Sequence, residues 1–247
     1  MILRQFLHSD PVAASYLLGC VGHSIGAVVD PLFPIEPYLE AAEATATPIR
    51  IVIDTHIHAD HRSAGRALAA AAGAEYVLHT SAETSFAFRK VAEGDRLPLG
   101  NVKLDVLHTP GHTPEHLSLL VTDRIRAKEA WFLLSGHTLM VGDVGRTELA
   151  SDAATGARDL FRSLQRLKTL PDYLEILPGA FAGSVCGRGL SGKPSSTIGF
   201  ERLHNPAFAM NDEADFVEFM LANIPPVPEG AAAYRVTNAG FVPKTAT

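Results

Sequence analysis

The chain has 247 residues, 47% of them hydrophobic, and 21 Lys and Arg against 27 Asp and Glu give a formal net charge of −6. That is ample apolar material for one α/β domain spanning residues 1–247 with a continuous core. No run of like charge gathers into a tail or stripe, which argues against nucleic acid and anionic membrane as partners.

In chain order, residues 2–7, 14–21 and 26–30 read as short strands separated by turn residues, an opening meander. Residues 37–46 are rich in helix formers and feed the β-branched run 49–53, the pattern of a buried strand. That strand ends at Asp54-Thr55-His56-Ile57-His58-Ala59-Asp60-His61. An alanine-rich helix over 62–72 stops at Gly73, and a strand follows at 75–79. Residues 102–107 form a strand ending at His108-Thr109-Pro110-Gly111-His112-Thr113-Pro114, and 117–121 resume extended structure. A third apolar strand, 131–134, opens into Ser135-Gly136-His137. Residues 158–167 carry the apolar spacing of an amphipathic helix (Leu160, Phe161, Leu164, Leu167), and 173–177 form a last core strand. The glycine- and serine-rich stretch 183–199 reads as a functional loop, and a helix over 213–222 follows it. The proline- and alanine-rich stretch 225–247 is expected to pack over the pocket or over another subunit. No apolar run reaches the roughly 18 residues of a membrane span, so a cytoplasmic location is expected.

Three strand ends therefore present metal-capable side chains. Within His56-x-His58-x-Asp60-His61, positions two apart in an extended loop point to one side, so His56 and His58 can face one ion. Imidazole and carboxylate suit zinc or iron, and with no cysteine nearby a structural zinc knot is disfavoured. His112 sits between Pro110 and Pro114, which stiffen the turn, while Gly111 frees the backbone; a ligand held this way loses little entropy. His108 and His116 read as satisfied neighbours. The two cysteines, Cys20 and Cys186, are too few for a disulfide framework, and Cys186 reads as a small buried thiol.

The segments Thr55 to His61, His108 to Thr113 and Gly142-Asp143-Val144-Gly145-Arg146-Thr147 together resemble the metallo-β-lactamase superfamily. Within it the chain is most similar to the persulfide dioxygenases, in particular the bacterial kind often joined to a rhodanese domain; Ala182-Gly183-Ser184-Val185-Cys186-Gly187 and Ser195-Ser196-Thr197-Ile198-Gly199-Phe200-Glu201 match later segments. No rhodanese domain lies within these residues. The resemblance implies a four-layer αββα sandwich and one iron(II) per chain that oxidises the outer sulfur of glutathione persulfide with dioxygen to sulfite and thiol. It implies an iron triad, and catalytic set, at His56, His112 and the position of His137, where the family carries an aspartate. His58, Asp60, His61 and Asp143 are then additional ligands or groups that orient ligands and water. Arg146 matches the arginine that faces glutathione. A homodimer and a separate rhodanese are the partners the likeness points to, beside the small-molecule persulfide and dioxygen.

Two departures keep alternatives open. Hydrolases of the superfamily bind two metals bridged by the aspartate, with a further histidine after the last core strand, whereas this chain has His137 and Ala180 there. A second ion keeping only Asp60 and His61 is poorly held, which favours a mononuclear centre. Imidazole for carboxylate also removes a negative charge from the site, which should favour an anionic sulfur substrate. Other readings remain: His137 inactivates the site; His58 completes a four-histidine zinc site; the chain is a mononuclear zinc hydrolase of glutathione thioesters, esters or lactones; or it binds metal and thiols without turnover.

Overall fold

The computed structural model describes residues 1–222 and 224–242. The opening meander forms as expected, with β1 (Ile2–Ser9) antiparallel to β2 (Val12–Cys20) and β2 antiparallel to β3 (Ile25–Val29). Helix α1 (Glu36–Ala44) places Pro37 in its first turn, where the missing N–H is not needed, and the chain breaks out at Ala46 with φ of 51°. It returns as β4 (Ile49–Ile53), parallel to β3.

Helix α2 (Gly65–Ala72) starts three residues later than its alanine pattern suggests, because Ser63 bridges to Leu32 and belongs to the preceding loop. Gly73, at φ of 60°, closes it in the left-handed conformation that favours glycine. Strands β5 (Glu75–His79) and β6 (Arg89–Val91) complete a sheet in the order β1-β2-β3-β4-β5-β6.

The second sheet opens with β7 (Arg96–Leu99) and β8 (Val102–His108), continues through β9 (Leu117–Asp123) and β10 (Phe132–Gly136), and after α3 (Ala153–Leu167) adds β11 (Glu175–Pro178) and β12 (Ser196–Thr197). Its order is β12-β11-β10-β9-β8-β7. Helix α3 begins before its apolar stripe does. Asp152 caps it by accepting from Thr155 N at 2.9 Å, and Gly156 lets the first turn press against the backbone oxygens of Thr147 and Gly111. Four further helices follow: α4 (Ile198–His204), α5 (Pro206–Ala209), α6 (Glu213–Ala222) and α7 (Ala231–Asn238).

Alternation along the strands builds four layers. Leu18 packs between the sheets with Leu104 and Leu119, whereas its neighbour Leu17 packs outward with Tyr38 of α1 and Leu68 of α2. On the other sheet Leu134 faces inward and Leu133 outward, against Leu160 of α3 and Phe216 of α6. The architecture is a four-layer αββα sandwich, as expected. Among the described residues no helix is long and apolar enough to cross a membrane.

Candidate metal centre

The site lies where β3, β4, β8 and β10 end. Because β3 and β4 run parallel, their last residues emerge side by side, and Asp30 of the first reaches the loop of the second. Its Oδ1 accepts from Thr55 N at 2.6 Å, its Oδ2 accepts from the Thr55 hydroxyl at 2.9 Å, and Oδ1 lies 3.2 Å from His58 Nε2.

These bonds decide which ring nitrogens are free. The Thr55 hydroxyl hydrogen is directed at Asp30, so its oxygen accepts from Nδ1–H of His56 at 2.9 Å and leaves Nε2 with a lone pair. His112 donates from Nδ1 to the Arg146 carbonyl at 2.7 Å, which leaves its Nε2 likewise. That Nε2 lies 3.2 Å from Nδ1 of His137. The donor atoms of His56, His112 and His137 all fall within 4.8 Å of one another, and the ring centroids are 4.8, 4.8 and 5.0 Å apart. His56 Nε2, His58 Nδ1 and His137 Nε2 are buried with no hydrogen-bond partner. Leaving a buried polar atom unsatisfied costs on the order of 1–3 kcal/mol, so orphaned nitrogens within this group of histidines fit a bound cation. Three strand-end loops thus meet at one metal-binding site.

Close packing fixes the rings. A Cβ at Gly145 would stand 2.3 Å from the His137 carbonyl oxygen and 3.0 Å from His112 Nδ1, so only glycine fits. Burial, reinforced by the neighbouring imidazoles, holds His56 well below its ordinary range, lowers His137, and pushes His112 down to about 3. Neutral imidazole is the form that binds a metal. At His58 burial works the same way, but Asp30 and Asp60 outweigh it and hold the ring well above its usual range.

Asp60 stands within reach of the same histidines. His56, His58 and Asp60 also offer donor atoms within 4.8 Å of one another, and Asp60 Oδ1 lies 3.1 Å from His61 Nδ1. His116 supports the site from behind: its Nε2 accepts from the His137 backbone N–H at 3.0 Å, and its Nδ1 faces the Thr109 and Thr138 hydroxyls, both at 3.0 Å. His108 instead stacks on His79 with centroids 3.9 Å apart.

Three residues stand elsewhere than the sequence suggests. The Asp143 carboxylate turns away from the histidines and accepts from the backbone N–H groups of Val144, Arg188 and Gly189, so it organises the glycine-rich loop. Arg146 is buried, and its guanidinium is engaged by Glu148 and the carbonyls of Val185, Pro225 and Pro226, leaving it no face for a substrate carboxylate. Cys186 is buried, as expected, but beside the metal site: its sulfur, a donor atom of Asp60 and one of His137 lie within 4.8 Å of one another.

The C-terminal stretch closes the site from outside. Arg235 of α7 donates to the Ile57 carbonyl at 3.0 Å and to Glu115 at 3.1 and 3.3 Å, while Glu115 accepts from Ile57 N at 3.0 Å. Asn238 donates to the carbonyls of His58 and His61 at 2.9 and 2.8 Å. Of the stretch 225–247, residues 243–247 lie outside the described residues. The roles of Asp30, Glu115, Arg235 and Asn238 carried no sequence signal except the position of Asp30 at the end of a strand beside the histidine loop.

Comparison with known proteins agrees with this fold. The solved structure of a metallo-beta-lactamase from Staphylococcus aureus superposes with a TM-score of 0.91 at 34% identity, covering 100% of this chain and 74% of that one. ETHE1 from Myxococcus xanthus gives 0.83 at 30% identity, covering 97% and 99%. A hydroxyacylglutathione hydrolase of Rhodospirillum rubrum is 29% identical, covering 82% of this chain and 84% of its own. The mitochondrial persulfide dioxygenase ETHE1 of the mouse is 26% identical, covering 89% and 80%. Residues 11–179 match the metallo-beta-lactamase superfamily profile, and the chain belongs to that superfamily.

Proposed function

We propose that the chain is a mononuclear iron(II) dioxygenase that oxidises glutathione persulfide, or a similar low-molecular-weight persulfide, to sulfite and thiol. The observation that carries this reading is the convergence of His56, His112 and His137, buried imidazoles of which the first two are pinned through Nδ1 and present Nε2 to the third. The likeness to ETHE1 from Myxococcus xanthus over nearly the whole of both chains supports it, because it extends past residue 179 into the loop that carries Cys186.

His56, His112 and His137 would hold the iron, with His58 Nδ1 at hand. Iron(II) held there would supply the redox chemistry. The reaction balances as persulfide, dioxygen and water giving thiol and sulfurous acid: the outer sulfur loses four electrons and dioxygen gains them. The protein's own part is placement. Thr55 and the Arg146 carbonyl fix two rings through their Nδ1–H groups, Asp30 fixes His58, and the α7 cap over the histidine loop restricts water. A neutral triad carries no negative charge to repel a persulfide anion, although Asp60 stands nearby and opposes its approach from that side.

Anaerobic reconstitution with iron(II), followed by oxygen-electrode assay with glutathione persulfide, tests the proposal. Iron-dependent oxygen uptake with sulfite formed is expected, and its absence rejects the reading. The zinc hydrolase is the second reading, favoured by the hydroxyacylglutathione hydrolase relative. It predicts zinc on isolation and thioester hydrolysis without oxygen.

A further inference from the structure

We propose that the cavity at the β12 edge of the second sheet binds a primary alkylammonium ion, with the amine on Glu201 and the alkyl chain against an aromatic rim. The inference is independent of the dioxygenase reading, because none of the residues lining the cavity belongs to the histidine site. It also gives a role to the segment Ser195 to Glu201, which the superfamily resemblance matches but the metal centre does not use.

The cavity has a volume of about 650 Å3 and lies where β12 and α4 meet the starts of β10 and β11. Trp131, Tyr173 and Phe200 line it, and these side chains are 48, 58 and 56% exposed. Large apolar side chains gathered at one exposed place mark a binding site, whereas single ones do not. Glu201 lines the same cavity but is only 1% exposed. Its Oε2 accepts from Gly142 N at 2.8 Å and from Asn205 Nδ2 at 3.0 Å, both neutral donors, while its Oε1 is buried with no partner. A buried carboxylate is costly unless its oxygens are answered, so the unclaimed oxygen fits a donor that brings positive charge. The other charges agree. Glu175 adds a second carboxylate to the lining, and the ammonium of Lys193 is turned to the Ser195 carbonyl. One unclaimed carboxylate oxygen among aromatic rings offers too few ligands for a metal ion, which takes four or more. An organic cation needs a single strong acceptor and gains from the ring faces. Because the acceptor needs an N–H, a primary ammonium fits better than a quaternary one.

Trp131 is the single tryptophan of the chain, so its fluorescence reads this cavity directly. Titration of the full-length chain with n-hexylammonium at neutral pH is expected to give a saturable change. n-Hexanol keeps the chain without the charge, and hexyltrimethylammonium keeps the charge without the N–H. Each should bind about tenfold or more weakly, the size of a lost charge-assisted hydrogen bond. Glu201→Gln keeps an oxygen for the Gly142 N–H and should weaken n-hexylammonium by a similar factor. Tyr173→Ala, a change at an exposed side chain, should weaken it about two- to fivefold through the lost ring face. No saturable change with n-hexylammonium, equal binding of either comparator, or an affinity unchanged in Tyr173→Ala overturns the inference. So does a Glu201→Gln chain with the wild-type circular dichroism that binds as before; if that variant fails to fold, the two comparators and Tyr173→Ala decide.

Discussion

The site has two walls built in opposite ways. One is the loop from Thr55 to His61, where four metal-capable side chains fall within six residues and the chain needs only to stay extended at the end of β4 to bring them together. The other is assembled from a distance: Cys186 from the glycine-rich loop, and Arg235 and Asn238 from α7. The bonds that make this second wall join residues as much as 180 positions apart. Local motifs announce ligands, and long-range contacts decide how they are held and what else can bind beside them.

Asp30 is where the two kinds of construction meet, and it gives the largest expected effect. It sits 28 residues from His58, yet one carboxylate orients His58 and, through Thr55, also His56. Asp30→Asn keeps the shape but provides one oxygen acceptor where the wild type has two. Groups that orient metal ligands typically contribute 10–100-fold to metal affinity, so a loss of about that size is expected by competition with a chelator. An unchanged affinity would mean that the motif loop holds its own geometry.

The distant wall is tested at Arg235. Removing it by Arg235→Ala leaves the buried Glu115 with its Ile57 N–H bond and no cation, and the penalty for stranding a buried acceptor is about 1–3 kcal/mol. Denaturant unfolding of the metal-free protein should show that loss. A change within about 0.5 kcal/mol, the usual range for a surface substitution, would mean that α7 rests on the histidine loop without bracing it.

How much of this was legible follows from the same contrast. The strands at β4, β8 and β10 and the histidines after them were readable because β-branched runs and polar loops alternate along the chain. Strands β6 and β7, with only three and four residues, carry too short a pattern to read. Arg146 illustrates the limit: its Gly-Arg-Thr setting pointed to a substrate carboxylate, but only the fold shows Pro225 and Pro226 at its guanidinium. Cys186 was visible as a residue but not as a neighbour of Asp60, because loop closure by Asp143 has no signature in spacing.

The smallest effect separates histidines that converge on the cation from those that merely pack. His79 and His108 also end strands, but they stack on each other, 8° from parallel, with His79 Nδ1 bound to the Ser81 hydroxyl at 2.7 Å. Burial, with His108 adjacent, pushes His79 down to about 4 from an ordinary 6.5. Between those two values the unfolded chain takes up a proton that the folded chain refuses. Stability therefore falls as pH drops from 6.5 toward 4 and gains no further loss from this residue below that. His79→Gln should unfold with a shallower decline than wild type over that window, while its metal content stays unchanged. A decline as steep as the wild type's would place the proton uptake elsewhere, and a loss of metal would make the stacked pair part of the site.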